Sequence, residues 1–248
     1  MSAPVVLVTG AASGIGAAIA DAFAQDGARL VLGDIDSAGL DVLAARLPLA
    51  EAKLVARRAD VRDPADVQGL VDAGVEAFGA LDVCCVNAGI ALPEAPLAAL
   101  DDAAIASVID VNLRGAIYTA RAAVNALRDG GAMVFTSSTS GLVAHPGATV
   151  YSATKIALIG LARCLAAELA PRRIRVNCVC PGGVDTPLVQ RMYDRDVIES
   201  SAAANPLGRI ADASDVAAAV RYLASPAARH VNGVALRVDG GESISAVV

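Results

Sequence analysis

Aromatic side chains are nearly missing from this chain: its 248 residues include no tryptophan, and aromatics make up 3% of the total. An interior with so few large rings must be filled by Ala, Val, Leu and Ile, and hydrophobic residues account for 55% of the sequence. Such filling suits a sheet covered by closely packed helices. Histidine is scarce as well, with two in all, which argues against a histidine-rich site; no metal is expected. The five cysteines, Cys84, Cys85, Cys164, Cys178 and Cys180, form no CxxC pair, so neither a disulfide framework nor a thiolate metal site is indicated. Asp82-Val83-Cys84-Cys85-Val86 reads as a buried strand, with its thiols serving as small core hydrophobes in a reducing compartment. A net charge of −6 argues against nucleic acid or an anionic membrane as partner, since Arg57-Arg58 and Arg172-Arg173 are only short doublets. Met1-Ser2-Ala3-Pro4 carries no charged leader, Val5 to Val8 is too short for a signal sequence, and no apolar run approaches a membrane span. The expectation is a cytoplasmic protein.

What is present is a regular alternation of apolar runs and helical stretches. Strands are expected at Val5–Val8, Leu30–Leu32, Leu54–Ala56, Val83–Val86, Met133–Phe135, Ile174–Val179 and Val234–Val238. Between them fall helices at Ile15–Gln25 (stopped by Gly27), Pro64–Phe78, Asp101–Leu127, Tyr151–Leu169 and about Asp215–Leu223. Near-continuous apolar strands separated by helices indicate a parallel sheet buried on both faces. With no linker or repeat in view, residues 1–248 read as one α/β domain. One segment breaks the rhythm: Pro187 to Gly208 is more polar, carries Met192 and Tyr193, and reads as a functional or disordered loop.

Thr9-Gly10-Ala11-Ala12-Ser13-Gly14-Ile15-Gly16 follows the first strand and opens the first helix. Glycines there permit a tight turn and close approach of backbone to a pyrophosphate, and the helix N-terminus offers free N–H donors. Asp34, followed by Ile35, ends the second strand, where a carboxylate can accept hydrogen bonds from ribose hydroxyls and repel a 2′-phosphate. No lysine or arginine stands in the glycine motif or directly after Asp34, so NAD is expected rather than NADP. Asp34 could instead cap the next helix, a task open to Asp36. Asp60 and Val61, at the end of the third strand, could flank an adenine.

Tyr151 and Lys155 stand four residues apart, on one face of a helix. An ammonium beside a phenol favours the phenolate and makes the tyrosine a usable proton carrier. Ser138, thirteen positions upstream, could hold a carbonyl or alcohol oxygen against it. Singly, each residue has a plainer reading: a turn serine, a helix-start aromatic, a solvated lysine.

Together these motifs, in this order, resemble the short-chain dehydrogenase/reductase family over essentially the whole chain. The resemblance includes Asn87-Ala88-Gly89 after the fourth strand, Asn112 in the long helix, Pro181-Gly182 and Thr186 after the sixth strand, and Asp239-Gly240-Gly241 near the end. It implies a single-domain Rossmann-like doubly wound parallel sheet of about seven strands with helices on both faces. It also implies Tyr151 as catalytic acid/base, Ser138 holding the substrate oxygen, and Lys155 lowering the tyrosine pKa and binding the nicotinamide ribose. Asn112 would support a water joining the lysine to solvent. Asn87 to Gly89 would line the cofactor, and Pro181, Gly182, Val184 and Thr186 would place its carboxamide. Val86 departs from the family, which usually has a second asparagine there. By the same resemblance the substrate cleft lies near Ser140, His145, Ala91, Leu92, Val184, Leu188, Met192 and Tyr193, beside Ser138 and Tyr151. It suits a secondary alcohol or ketone of small to medium size.

Family members are mostly tetramers, so a homotetramer is expected. Ala116, Ala120 and Ala123, or Ala157, Leu161 and Leu165, could serve helix contacts between subunits or pack on the chain's own sheet. Two rival readings stand beside the NAD-dependent dehydrogenase. One is a 3-oxoacyl-(acyl carrier protein) reductase using NADPH, with Arg121, Arg128 and Arg172 available for docking. The other is a nucleotide-binding regulator without catalysis.

Overall fold

Seven of the apolar segments become strands of one parallel sheet: β1 Val5–Thr9, β2 Arg29–Asp34, β3 Leu54–Arg58, β4 Leu81–Val86, β5 Leu127–Thr136, β6 Arg175–Pro181 and, last in the chain, β9 Ala235–Val238. The computed structural model describes residues 3–245; Met1 and Ser2 of the N-terminal stretch, and the last three residues, lie outside it. Strand order is β3-β2-β1-β4-β5-β6-β9, so the chain winds outward from β1 in one direction and then from β4 in the other. Every pairing in this sheet is parallel, which requires a crossover between each pair of neighbours.

The crossovers bury both faces. One face carries α1 Gly14–Gln25, α2 Ser37–Arg46 and α9 Ala213–Ala224, which close over Val6, Val8, Leu30 and Leu32. The other carries α3 Pro64–Phe78, α5 Gly115–Ala126 and α6 Thr149–Glu168, over Leu7, Val31, Met133 and Phe135. Each β1 side chain from Val5 to Val8 is fully buried, alternating between the two layers as a period-two strand must. Cys84, Cys85, Cys178 and Cys180 lie in these layers as free thiols, and burial pushes the Cys84 thiol up to about 12. Ala116, Ala120 and Ala123 are buried against the chain's own sheet, and Leu161 and Leu165 pack on the same cluster.

Two expectations need correction. The helix expected over Asp101–Leu127 is α4 Asp102–Ile109 and α5, joined by one π turn, Asp110–Arg114; Leu127 already belongs to β5. A π turn widens the helical ladder by one residue and rotates the next turns of helix, and this one holds Asn112. The segment from Pro187 to Gly208 is no open loop: it forms α7 Pro187–Met192 and α8 Arg195–Ala204. Thr186 caps α7 by accepting from the Val189 N–H at 3.4 Å, and Pro187 takes the first turn. The two-residue strands β7 Val184–Asp185 and β8 Ala211–Asp212 pair with each other and clamp both ends of this flap. Finally, α6 has the length and mean hydropathy, 1.4, of a membrane span, but its inward side is a wall of the sheet, with Leu158, Ile159 and Ala162 buried. A short helix, α10 Glu242–Ser245, closes the described chain.

Candidate active site

At the carboxyl ends of the strands, where the order reverses between β1 and β4, a cleft of about 570 Å³ opens. Gly10, Ser13, Gly14 and Ile15 line it, and α1 begins at its edge. Ser13 is the N-cap, yet its side chain caps nothing, and the first turn holds no acidic residue. Backbone N–H donors at the positive end of the helix dipole are therefore available to an anion in the cleft. Gly16 does not line the cleft. A Cβ there would stand 1.9 Å from the Gly10 carbonyl oxygen, so the residue lets the turn fold flat on the helix. The donor set and the bare backbone fit a pyrophosphate.

Asp34 and Ile35 line the far end of the cleft with Asp60 and Val61. The Asp34 carboxylate accepts from the Ala12 N–H at 2.9 Å and the Asp36 N–H at 3.0 Å, which fixes it against the glycine turn. Helix capping falls to Asp36, which accepts from Gly39 N–H at 3.0 Å. Arg62, not singled out from sequence, pairs with Asp60 at 2.6 Å and holds its carboxyl below the usual range. The spacing of this pair, two residues apart beyond a strand end, was the available signal.

Asn87, Ala88 and Gly89 line the middle of the cleft. The Asn87 side chain donates to the Thr9 and Gly10 carbonyls at 3.1 and 3.2 Å and accepts from Thr136 Oγ1 at 3.0 Å, tying β1, β4 and β5 together. Val86, where the family has asparagine, is buried in the apolar core. Pro181, Gly182, Val184 and Thr186 close the other end, beside Leu188.

Ser138, Tyr151 and Lys155 meet on the same cleft. β5 delivers Ser138 to a short turn, where its Oγ accepts from the Ser140 N–H at 3.1 Å. Ser137 Oγ donates to the Lys155 carbonyl at 2.8 Å and fastens that strand end to α6. Lys155 Nζ donates to the Thr136 carbonyl at 3.0 Å and lies 5.4 Å from the centre of the Tyr151 ring. Burial lowers the lysine to about 8. The four-residue spacing predicts that the lysine lowers the Tyr151 hydroxyl, and the structure differs. Burial raises it above its ordinary value, and the Ser138 hydrogen bond only opposes that rise. Desolvation of the phenolate outweighs an ammonium whose hydrogen bond points to a carbonyl.

Asn112, fully buried on the π turn, accepts from the Ile90 N–H and donates to the Ile90 carbonyl, both at 2.8 Å. It also reaches Thr154 Oγ1 at 3.4 Å, and Thr154 donates to the Tyr151 carbonyl at 2.7 Å. Gly89 permits this convergence: a Cβ there would stand 3.3 Å from Lys155 Nζ and 3.4 Å from Asn112 Oδ1.

Four residues expected at the substrate, Ser140, His145, Met192 and Tyr193, do not line the cleft. Met192 ends α7 half-buried. The other three form a hydrogen-bonded cluster around Glu94, which sequence reasoning missed. Ser140 Oγ meets His145 Nδ1 at 3.0 Å, His145 Nε2 meets Glu94 Oε1 at 3.0 Å, and Tyr193 donates to the same Oε1 at 2.6 Å. The Tyr193 bond, with His145, holds the Glu94 carboxyl below its usual range. Leu92 lines a small hollow behind Tyr151, while Ala91 borders neither space. Also unanticipated in the main cleft are Ile90, Val111, Val189 and Arg191. A helix as short as α7 shows too little periodicity to give advance notice of the last two.

A family model described as enoyl-(acyl carrier protein) reductase matches residues 10–243. The chain is 44% identical, over 96% of its length and 95% of the relative's, to cis-4-hydroxycyclohexanecarboxylate dehydrogenase of Sinomonas cyclohexanicum. Among solved structures, a short-chain dehydrogenase/reductase titled glucose/ribitol dehydrogenase, from Brucella melitensis, superposes with a TM-score of 0.92 at 34% identity, covering 96% of both chains. A 3-ketoacyl-(acyl-carrier-protein) reductase from the same organism, complexed with NADH, gives 0.89 at 32% identity, covering 97% of this chain and 98% of that one.

Proposed function

The chain belongs to the short-chain dehydrogenase/reductase family of oxidoreductases, and on that premise we propose that it moves a hydride between NAD and a secondary alcohol or ketone of small to medium size. One observation carries the reading: Ser138, Tyr151 and Lys155 face the same cleft as the uncapped N-terminus of α1. A nicotinamide dinucleotide held there would supply the hydride acceptor or donor. Gly10 to Ile15 hold its pyrophosphate on backbone N–H groups, and Asp34 accepts from the adenosine ribose. Asp60, Val61 and Arg62 border the adenine; Asn87 to Gly89 and Pro181 to Thr186 border the nicotinamide end.

Ser138 holds the substrate oxygen within reach of Tyr151, whose hydroxyl gives a proton to a carbonyl oxygen or takes one from an alcohol. A buried tyrosine with a raised pKa is protonated at neutral pH, which sets it as the donor in ketone reduction. Lys155, with a pKa of about 8, carries its charge at neutral pH and is placed to hold the nicotinamide ribose. Asn112 keeps the backbone after β4 and the start of α6 in register with these groups.

The NADPH-dependent 3-oxoacyl-(acyl carrier protein) reductase is the competing assignment. Asp34, fixed at the ribose end, speaks against a 2′-phosphate. A catalytically silent regulator has no need of the Ser138, Tyr151 and Lys155 constellation. A homotetramer is the proposed assembly, with exposed Ile117 on α5 and Ile156 on α6 as apolar side chains that pairing would cover. The functional test follows nicotinamide absorbance with NAD⁺ or NADP⁺ against a panel of secondary alcohols. Turnover with NAD⁺ is expected, and a preference for NADP⁺ would overturn the cofactor assignment.

A further inference from the structure

The cluster around Glu94 draws on four separate parts of the chain. Glu94 comes from the segment after β4, Ser140 from the turn after β5, His145 from the loop before α6, and Tyr193 from the end of α7. The first and third are laced together by the backbone, Ala95 N–H donating to the Gly147 carbonyl at 3.0 Å. The cluster adjoins the reacting groups: the Ser140 N–H binds Ser138 Oγ, and Tyr193 lies close enough to feel the charge of Tyr151. The cluster thus begins one hydrogen bond away from the hydroxyl that would hold the substrate oxygen.

Counting hydrogens shows what the cluster can recognise. An ionised carboxylate only accepts, and Glu94 is held in that form. Both contacts to its Oε1 must then be donations, from Tyr193 O–H and from His145 Nε2–H. In the neutral, Nε2-protonated tautomer of His145, Nδ1 is bare and Ser140 donates its own hydrogen to that atom. In that tautomer every side-chain hydrogen of the cluster is directed inward. Ser140 Oγ, Tyr193 Oη and Glu94 Oε2 are left to offer lone pairs and negative charge.

We propose that Glu94, with Ser140, His145 and Tyr193, is a specificity determinant that selects uncharged substrates bearing a second hydroxyl, a diol or hydroxyketone, and disfavours substrates bearing a carboxylate. This rests on the dehydrogenase reading and names its substrate class. Glu94 and His145 are about two-fifths exposed, so a molecule from solution can reach them. A second hydroxyl supplies the donor that the cluster lacks, whereas a carboxylate would meet only acceptors and a like charge. Of the two arginines of the same flap, Arg191 lines the cleft and Arg195 pairs with Glu199 at 2.7 Å, so neither belongs to this cluster.

The test compares kcat/KM for cyclohexanol, a set of cyclohexanediols and 4-hydroxycyclohexanecarboxylate, with NAD⁺ saturating, in the wild type and in Glu94→Gln and Tyr193→Phe. The best diol is expected to exceed cyclohexanol by about tenfold or more, mainly through KM, because a site built for a hydroxyl penalises its absence. Glu94→Gln should cut the diol-to-cyclohexanol ratio by about tenfold and raise the carboxylate-to-cyclohexanol ratio. Tyr193→Phe, which preserves size and shape, should move the first ratio the same way. Turnover of cyclohexanol with no diol preferred, or ratios that both variants leave unmoved, overturns this inference alone. No turnover of any alcohol overturns the dehydrogenase reading, and the inference falls with it.

Discussion

Asn112 grips the backbone of Ile90 with both ends of its amide, accepting from the N–H and donating to the carbonyl at 2.8 Å each. The two residues are 22 positions apart, and the pair joins the π turn between α4 and α5 to the chain leaving β4. Because Asn112 is fully buried, no solvent stands ready to replace either bond.

Asn112→Ala should therefore destabilise the protein by roughly 2–4 kcal/mol, since two backbone groups lose their partner in a buried place. Urea or thermal denaturation measures this directly. A loss of only a few tenths would mean that the Ile90 segment repacks without the clasp.

Tyr151→Phe removes the one hydroxyl placed to exchange a proton with a substrate oxygen on Ser138. Turnover should fall by about 10²-fold or more, with cofactor binding by fluorescence titration retained. In the wild type, alcohol oxidation should rise with pH above neutral, because the raised pKa leaves the base form of Tyr151 scarce at pH 7. Substantial activity in the phenylalanine variant would remove Tyr151 from the reaction.

Lys155 leaves a thermodynamic signature in the cofactor-free protein. Its folded pKa of about 8 lies below the ordinary 10.5, so between those values the unfolded chain holds a proton that the folded chain has released. This one group therefore contributes stability that increases with pH across the window, by about 2 kcal/mol between pH 8 and 10. The buried thiols of Cys84, Cys85, Cys178 and Cys180, all raised by burial, and Tyr151, raised above 10, act in the opposite sense, because the unfolded chain releases those protons first. Lys155→Met should lose this contribution, so that its stability relative to the wild type falls by about 2 kcal/mol from pH 8 to pH 10, as read from urea unfolding at the two values.

Asp34 holds the glycine turn through the Ala12 N–H and lines the cleft. Ala12→Arg combined with Asp34→Ser should exchange that negative charge for a cation and shift the ratio of NAD⁺ to NADP⁺ efficiency toward NADP⁺ by about tenfold or more. An unchanged ratio would place the ribose elsewhere.

Local pattern carried much of this into view before any coordinates. The run Val5–Val8 reads as a strand buried on both faces because nothing in it tolerates water, and Ile174–Val179 follows it with apolar residues around Arg175 and Asn177. The glycines from Gly10 to Gly16 announced a backbone-lined turn, and Tyr151 with Lys155 announced one face of a helix. Pro187 to Gly208 was harder: Thr186 and Pro187 form a legible helix start, but α7 and α8 are short and held by the β7–β8 clamp, a pairing of residues 27 positions apart.

The sequence by itself determined the parallel sheet, the glycine turn at the head of α1 and the placing of Tyr151 and Lys155 on one helix, since these follow from periodicity and from spacings of a few residues. Tertiary structure alone decided that burial raises the Tyr151 hydroxyl, that Asn112 clasps Ile90, and that Glu94 meets Tyr193, 99 residues away. The reason is physical: a pKa depends on the solvent excluded around a group, and a hydrogen bond on which distant atoms packing brings within about 3 Å. Neither is a property of neighbouring residues along the chain.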